Sequence, residues 1–211
     1  MDPRLSTGLS VPLISPSNYP PELALLVLET RRGTVAALAE AVMQKDRSTG
    51  GHGKRVVFWA EKVGRAMGLS DSLLEELRWA AVLHDVGKLG IEDRILKKAA
   101  PLAQDEWPLM KSHPERGREI LRRAGAGLGN VEGAVLHHHE RWDGEGYPDR
   151  LRGEEIPLFA RIVSVVDAYD AMISNRPYRK GMDPVLARSE IATLAGSQFC
   201  PSVVDAFLSL G

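Results

Sequence analysis

The chain has 211 residues, 44% hydrophobic and 26% charged, so it is an ordinary globular sequence and not a disordered one. At this length a domain buries about 70% of its unfolded surface, and the single cysteine, Cys200, excludes a disulfide framework or a Cys-rich zinc module. Lys+Arg total 27 against 28 Asp+Glu, which argues against long nucleic acid as a partner.

Residues 1–21 are proline-rich without apolar periodicity, and read as an extended lead-in or linker stub. They lack a basic region followed by an apolar core, and no run in the chain approaches the ~20 apolar residues of a membrane span. A cytoplasmic protein with no membrane contact is the expectation. Residues 22–211 form the expected domain. Helical spacing begins at Glu22 and runs through Val35, Leu38, Ala39 and Val42, with a break expected near Gly33. Val56, Val57, Ala60, Val63 and Met67 predict a second helix closed by Gly68. Ser72 and Glu75 have capping-box spacing and predict a third, running to about Val86 and Gly87. Further helical signals cover residues 104–111, an interruption at Pro114, residues up to 124, and a short stretch at 131–140. Residues 141–157 are rich in Gly, Pro and Asp and predict a loop. Residues 158–174 return to a helical period, and Pro184 and Pro201 each stand at a first helical position. Strand-like alternation is absent. The expected fold is all-α, a bundle of seven to nine helices with one long loop.

The six histidines are His52, His84, His113, His137, His138 and His139. Each alone reads as a satisfied core or surface residue. His84 and Asp85, however, end an apolar run, and burying Asp85 unpaired costs several kcal/mol, so a cation must be near. Lys88, at i+4 from His84, is expected on the same helical face. Asp167 lies among Val163, Val166 and Ala171 and poses the same problem. Two readings stay open: salt bridges to arginines, or a metal cluster. Imidazoles and carboxylates without thiolate suit Fe, Mn, Co, Ni or Zn. His138 and His139 emerge together at a helix end, where their directions can diverge; a surface polyhistidine run is the alternative. His113 sits at a break between helical segments.

His84-Asp85-Val86-Gly87-Lys88 resembles the HD phosphohydrolase motif. His138-His139-Glu140-Arg141-Trp142-Asp143-Gly144-Glu145-Gly146-Tyr147-Pro148 resembles the long second motif of the HD-GYP family. The likeness continues through Leu151, Gly153, Ile156-Pro157, Asp167, Tyr169-Asp170-Ala171 and Arg176-Pro177-Tyr178-Arg179, and covers the chain from about residue 25 onward. It implies an all-α phosphodiesterase that hydrolyses cyclic di-GMP to pGpG or GMP by attack of a metal-bridging hydroxide. The implied cofactors are two divalent transition-metal ions, iron or manganese first, with nickel, cobalt or zinc as alternatives. One ion would take His52, His84 and Asp167, the other His113, His138 and His139, with Asp85 bridging and His137 left without a ligand role. Lys88, Arg176 and Arg179 would meet substrate phosphates, with solvated or ion-paired charges as their bland reading. The loop holding Asp143, Gly144, Gly146, Tyr147 and Pro148 would border the site, and a cyclic di-GMP synthase or sensory protein is the implied partner.

Two departures from the family pattern bear on this. Ser48 stands where some members carry a glutamate that supports a third metal, so two ions are expected. Cys200 replaces an aspartate before Pro201, a poorer helix cap. The competing functions are hydrolysis of another cyclic dinucleotide and a catalytically weak module that senses the nucleotide or docks a synthase. Degenerate members would have lost ligands, and this chain keeps all those expected for two metals.

Overall fold

A computed structural model describes residues 20–45, 51–98, 100–124, 129–175 and 180–211. Within them the protein is helical with no strand, only an isolated bridge between Ala195 and Phe199. The α-helices are α1 (Pro21–Lys45), α2 (His52–Ala66), α3 (Asp71–Leu83), α4 (Asp93–Leu96), α5 (Trp107–Lys111), α6 (His113–Arg123), α7 (Gly129–His137), α8 (Leu158–Ile173), α9 (Pro184–Thr193) and α10 (Pro201–Leu208). Two of these, α4 and α5, are single turns, so the expected seven to nine helices undercount the described ten. No described helix is long and apolar enough to cross a membrane.

The core lies between α8 and its neighbours. Val163 and Val166 of α8 share one buried cluster with Val56 and Ala60 of α2, Ala80 and Ala81 of α3, and Val131 and Val135 of α7, all of them closed to water. The far end is sealed by Phe207 and Tyr169, whose rings sit edge to face with Trp59.

Several boundaries differ from the sequence expectations, each for a local reason. The break near Gly33 does not occur; α1 runs through it, since an exposed mid-helix glycine costs only about 1 kcal/mol. The α2 terminus is as expected, with Gly68 at a φ of 77° and bonds from Gly68 N–H to Arg65 and Leu69 N–H to Gly64. This turn delivers the chain directly to Ser70, whose hydroxyl accepts from Leu73 N–H and caps α3. Ser72 is therefore not the cap. The third helix stops at Leu83 and not at Gly87. The apolar run continues, but the backbone tightens into a 3₁₀ turn, Val86–Gly90. Pro114 does not interrupt a helix; it occupies the first turn of α6, and the break falls at Ser112. The helix before the loop ends at His137, leaving His138 and His139 in the turn beyond. Cys200 precedes α10 and makes no capping bond through its side chain, as expected of cysteine.

The lead-in read over residues 1–21 and the third-metal position Ser48 lie outside the described residues, except that α1 already begins at Pro21.

Glu61 ties α2 to α3: it accepts from Arg78 Nε at 2.8 Å and from Arg65 Nη2 at 2.9 Å. Arg78 first, then Arg65, lower its carboxyl from 4.5 to about 2. A depressed carboxylate stabilises the fold above its unfolded pKa and stops doing so as pH falls through the folded one. Glu61→Gln should lower the urea midpoint at neutral pH by an amount worth about 1 kcal/mol or less, because the group is partly solvated. The gap from the parent protein should close as pH drops from about 4.5 toward about 2.

Candidate metal centre

Helix ends supply most of the expected site. His52 opens α2, His84 caps the end of α3, His113 opens α6, and His138 and His139 follow α7; Asp167 projects from within α8. Gly87 allows the assembly to close. A Cβ there would lie 1.8 Å from the His113 carbonyl oxygen, so only glycine lets the 3₁₀ turn rest against the start of α6. That contact brings Asp85 Oδ1 to 3.4 Å from His113 Nε2, while Asp85 Oδ2 lies 3.3 Å from His84 Nε2.

Three imidazoles are pinned in the same manner. Nδ1 of His84 lies 2.7 Å from Ala81 O, that of His113 2.8 Å from Met110 O, and that of His138 2.9 Å from Val135 O. A carbonyl only accepts, so each Nδ1 carries a hydrogen and the neutral ring presents an Nε2 lone pair to the site. His113 Nε2 and His138 Nε2 then face one another at 3.2 Å. Two lone pairs at that distance repel unless a proton or a cation lies between them. His84 Nε2 is buried without a hydrogen-bond partner among the described residues, facing the carboxylates of Asp85 and Asp167.

Donor atoms group as His113, His138 and His139 on one side and His52, His84 and Asp85 on the other, each set close enough to hold one metal ion. Asp167 joins the second set, its Oδ1 3.3 Å from His52 Nε2 and 3.7 Å from His84 Nε2. The residues fit a divalent metal centre. His137 stands apart, bound to Gly133 O and to Asp149 Oδ2.

The two sets differ in charge. Burial pushes His113 and His138 down, helped for His138 by the His139 imidazole, and burial holds His139 at about 4. All three are neutral near pH 7, as ligation requires. Burial would also lower His52, but hydrogen bonds to Asp167 and Asp170 outweigh it and raise the ring to about 9. Burial opposes ionisation of Asp85, yet Lys88 and His84 hold it well below the usual carboxylate range.

Lys88 Nζ lies 2.7 Å from Asp85 Oδ2, so the cation that the sequence demanded near Asp85 is this one. The route differs from the expected shared face with His84: α3 has already ended, and Lys88 reaches Asp85 across the 3₁₀ turn. Arg176 and Arg179 lie outside the described residues.

The loop is fastened at both sides. Trp142 N–H and Asp143 N–H donate to Gln198 O and Ser197 O, and Arg141 clasps the Asp143 carboxylate. Asp143 is thereby committed to holding the loop. Gly144 has a φ of 82°, and Gly146 packs where a Cβ would come within 2.5 Å of Glu140 Cα. Pro148 follows a cis peptide bond. Tyr147 reaches the centre, its ring stacked on His139 at 4.9 Å between centroids.

Asp170 is the site residue for which sequence reasoning found no role. Its Oδ2 lies 2.7 Å from His52 Nδ1, and Arg55 and Ser174 hold it in turn. Its spacing of one helical turn from Asp167 was the available signal.

A family model described as an HD domain matches residues 36–203. The chain belongs to the HD domain family, in its HD-GYP branch. It is 42% identical over 167 residues to a cyclic di-GMP phosphodiesterase of Thermotoga maritima, a match covering 79% of this chain and 45% of that protein. It is 39% identical over 181 residues to a 3'3'-cGAMP-specific phosphodiesterase of Vibrio cholerae, covering 85% and 35%. The chain thus spans less than half the length of these relatives. Among solved structures, an HD-GYP-type protein from Bdellovibrio bacteriovorus superposes with a TM-score of 0.62 at 20% identity, covering 78% of this chain and 53% of that one. At that identity the likeness speaks for the helical HD fold.

Asp170→Asn should lower the His52 pKa in metal-free protein from about 9 toward 6.5, read by pH-titrated NMR of the ring protons. The same change should weaken metal binding about 10–100-fold in chelator competition, because the partner that orients His52 loses its charge.

Proposed function

We propose that this chain is a metal-dependent phosphodiesterase acting on cyclic di-GMP. The observation that carries the reading is the Asp85 carboxylate, with one oxygen toward His84 and the other toward His113, between two sets of metal-competent donors. In this reading His52, His84 and Asp167 hold one ion, His113, His138 and His139 the other, and Asp85 both. The native metals would be iron or manganese. Such ions polarise phosphoryl oxygens and bring the pKa of water near neutral.

The chain's own residues do the remaining work. The carbonyl bonds at His84, His113 and His138 fix each ring before substrate arrives, so no reorientation is needed during the reaction. Lys88 keeps Asp85 ionised and aimed. With Arg176 and Arg179 it would also offset the negative charge of the two bridging phosphates. Forked guanidinium groups suit that task better than ammonium. Tyr147, against His139, gives the site an aromatic edge on which a nucleobase could stack.

A second reading, hydrolysis of a mixed purine cyclic dinucleotide, is favoured by the 39% identity to a 3'3'-cGAMP-specific relative. Anaerobic incubation of iron- or manganese-loaded protein with cyclic di-GMP and 3'3'-cGAMP, with products separated by chromatography, decides between them. The expected result is faster conversion of cyclic di-GMP. Turnover of neither would overturn the enzymatic reading in favour of a binding module.

Two variants sharpen the assignment. Asp85→Ala should lose bound metal by elemental analysis along with activity, and full metal content with normal turnover would refute the ligand set. Arg176→Ala should raise KM about ten- to a hundredfold at unchanged metal content, the value of one charged phosphate contact.

A further inference from the structure

The segment after His139 turns back on itself, and the residues flanking the His138-His139 pair hold its return. Glu140 is only 3% exposed, and its Oε1 accepts from Asp149 N–H at 2.7 Å. Its Oε2 is buried without a hydrogen-bond partner among the described residues. On the other side of the pair, His137 Nε2 lies 3.0 Å from Asp149 Oδ2. One loop residue is therefore gripped through its amide by Glu140 and through its side chain by His137. Between the grips, Tyr147 N–H donates to His139 O at 3.3 Å and its ring stacks on the His139 imidazole. Lys111 Nζ stands 5.1 Å from the centroid of that ring.

We infer that Glu140 is a positioning residue for substrate, acting through the loop. It is in neither donor set, although it adjoins His139 in sequence. Burying a carboxylate with one oxygen unsatisfied costs free energy, and the amide of Asp149 is the bond obtained in exchange. That bond closes residues 140–149 into a ring whose inner member is Tyr147. Opening the ring frees Tyr147 to leave His139 and Lys111, removing an aromatic surface from the place where a nucleotide would bind. The rings of His84, His113 and His138 keep their carbonyl partners, which lie outside this loop. The link to substrate rests on the phosphodiesterase reading; the clamp itself does not.

The test uses metal-loaded protein and compares Glu140→Met, which keeps volume without an acceptor, with Glu140→Gln, which keeps an acceptor oxygen. Glu140→Ala serves as a second acceptor-free variant. In the parent, the Asp149 amide should exchange slowly with deuterium although its residue is exposed; fast exchange there would overturn the clamp without any variant. In Glu140→Met or Glu140→Ala that amide should exchange about tenfold or more faster, the loss of a hydrogen bond to a charged group. KM for the cyclic dinucleotide that the parent hydrolyses should rise about tenfold with kcat within about threefold and metal content unchanged, as for lost uniform binding. Glu140→Gln should return both to near the parent values. Unchanged exchange in the acceptor-free variants overturns the clamp, whatever the parent hydrolyses. Accelerated exchange with unaltered KM overturns the positioning role, and loss of metal would make Glu140 a determinant of the centre instead.

Discussion

His113 and His138 meet through nitrogens that have only lone pairs to offer, in an interior nearly closed to water. Their other nitrogens are engaged by the carbonyls three residues earlier in the chain, so neither ring can turn away without orphaning a buried group. Packing of α6 and α7 against the bundle supplies the free energy that keeps them opposed. A cation held between the two nitrogens would turn this repulsion into attraction, so the arrangement favours one. The glycine at 87 matters for the same reason, since it sets how closely the Asp85 turn approaches the start of α6.

The two halves of the centre sit in unequal fields. One is all imidazole and neutral. The other gathers Asp85 and Asp167 around His52 and His84, with Asp170 behind His52. Protons occupy part of the carboxylate-rich half in the absence of metal, as the raised His52 shows. An ion entering there must displace a proton, whereas one entering the imidazole half need not. Loading is thus coupled to pH on one side more than on the other.

Much of the architecture was legible from periodicity alone. The span of α8 differs from the sequence reading by one residue, and prolines mark the starts of α9 and α10. Periodicity failed where two structures share one hydrophobic pattern. Val82, Leu83 and Val86 are apolar whether the chain continues as α-helix or tightens into a 3₁₀ turn, so the end of α3 was invisible. Capping chemistry was ambiguous because Ser70 and Ser72 are both competent, and the tight exit from α2 decided for Ser70. Within the site, the histidines and Asp85 stood out because buried polar groups in apolar runs demand partners. Asp170 did not, since its role depends on a contact with a residue 118 positions earlier. Its spacing of one helical turn from Asp167 set it near the site but could not name that partner.

That separation has a consequence for how the protein comes into being on the ribosome. His52, His84 and Asp85 emerge early, the histidines flanking α6 and α7 next, and the carboxylates of α8 last. Until α8 has left the exit tunnel, His52 lacks both Asp170, which orients it, and Asp167, which faces its other nitrogen. A nascent chain therefore carries imidazoles that are not yet gathered into a preformed site. The donor set is complete only when the whole helical body has formed, so assembly of the site and completion of the fold are one event.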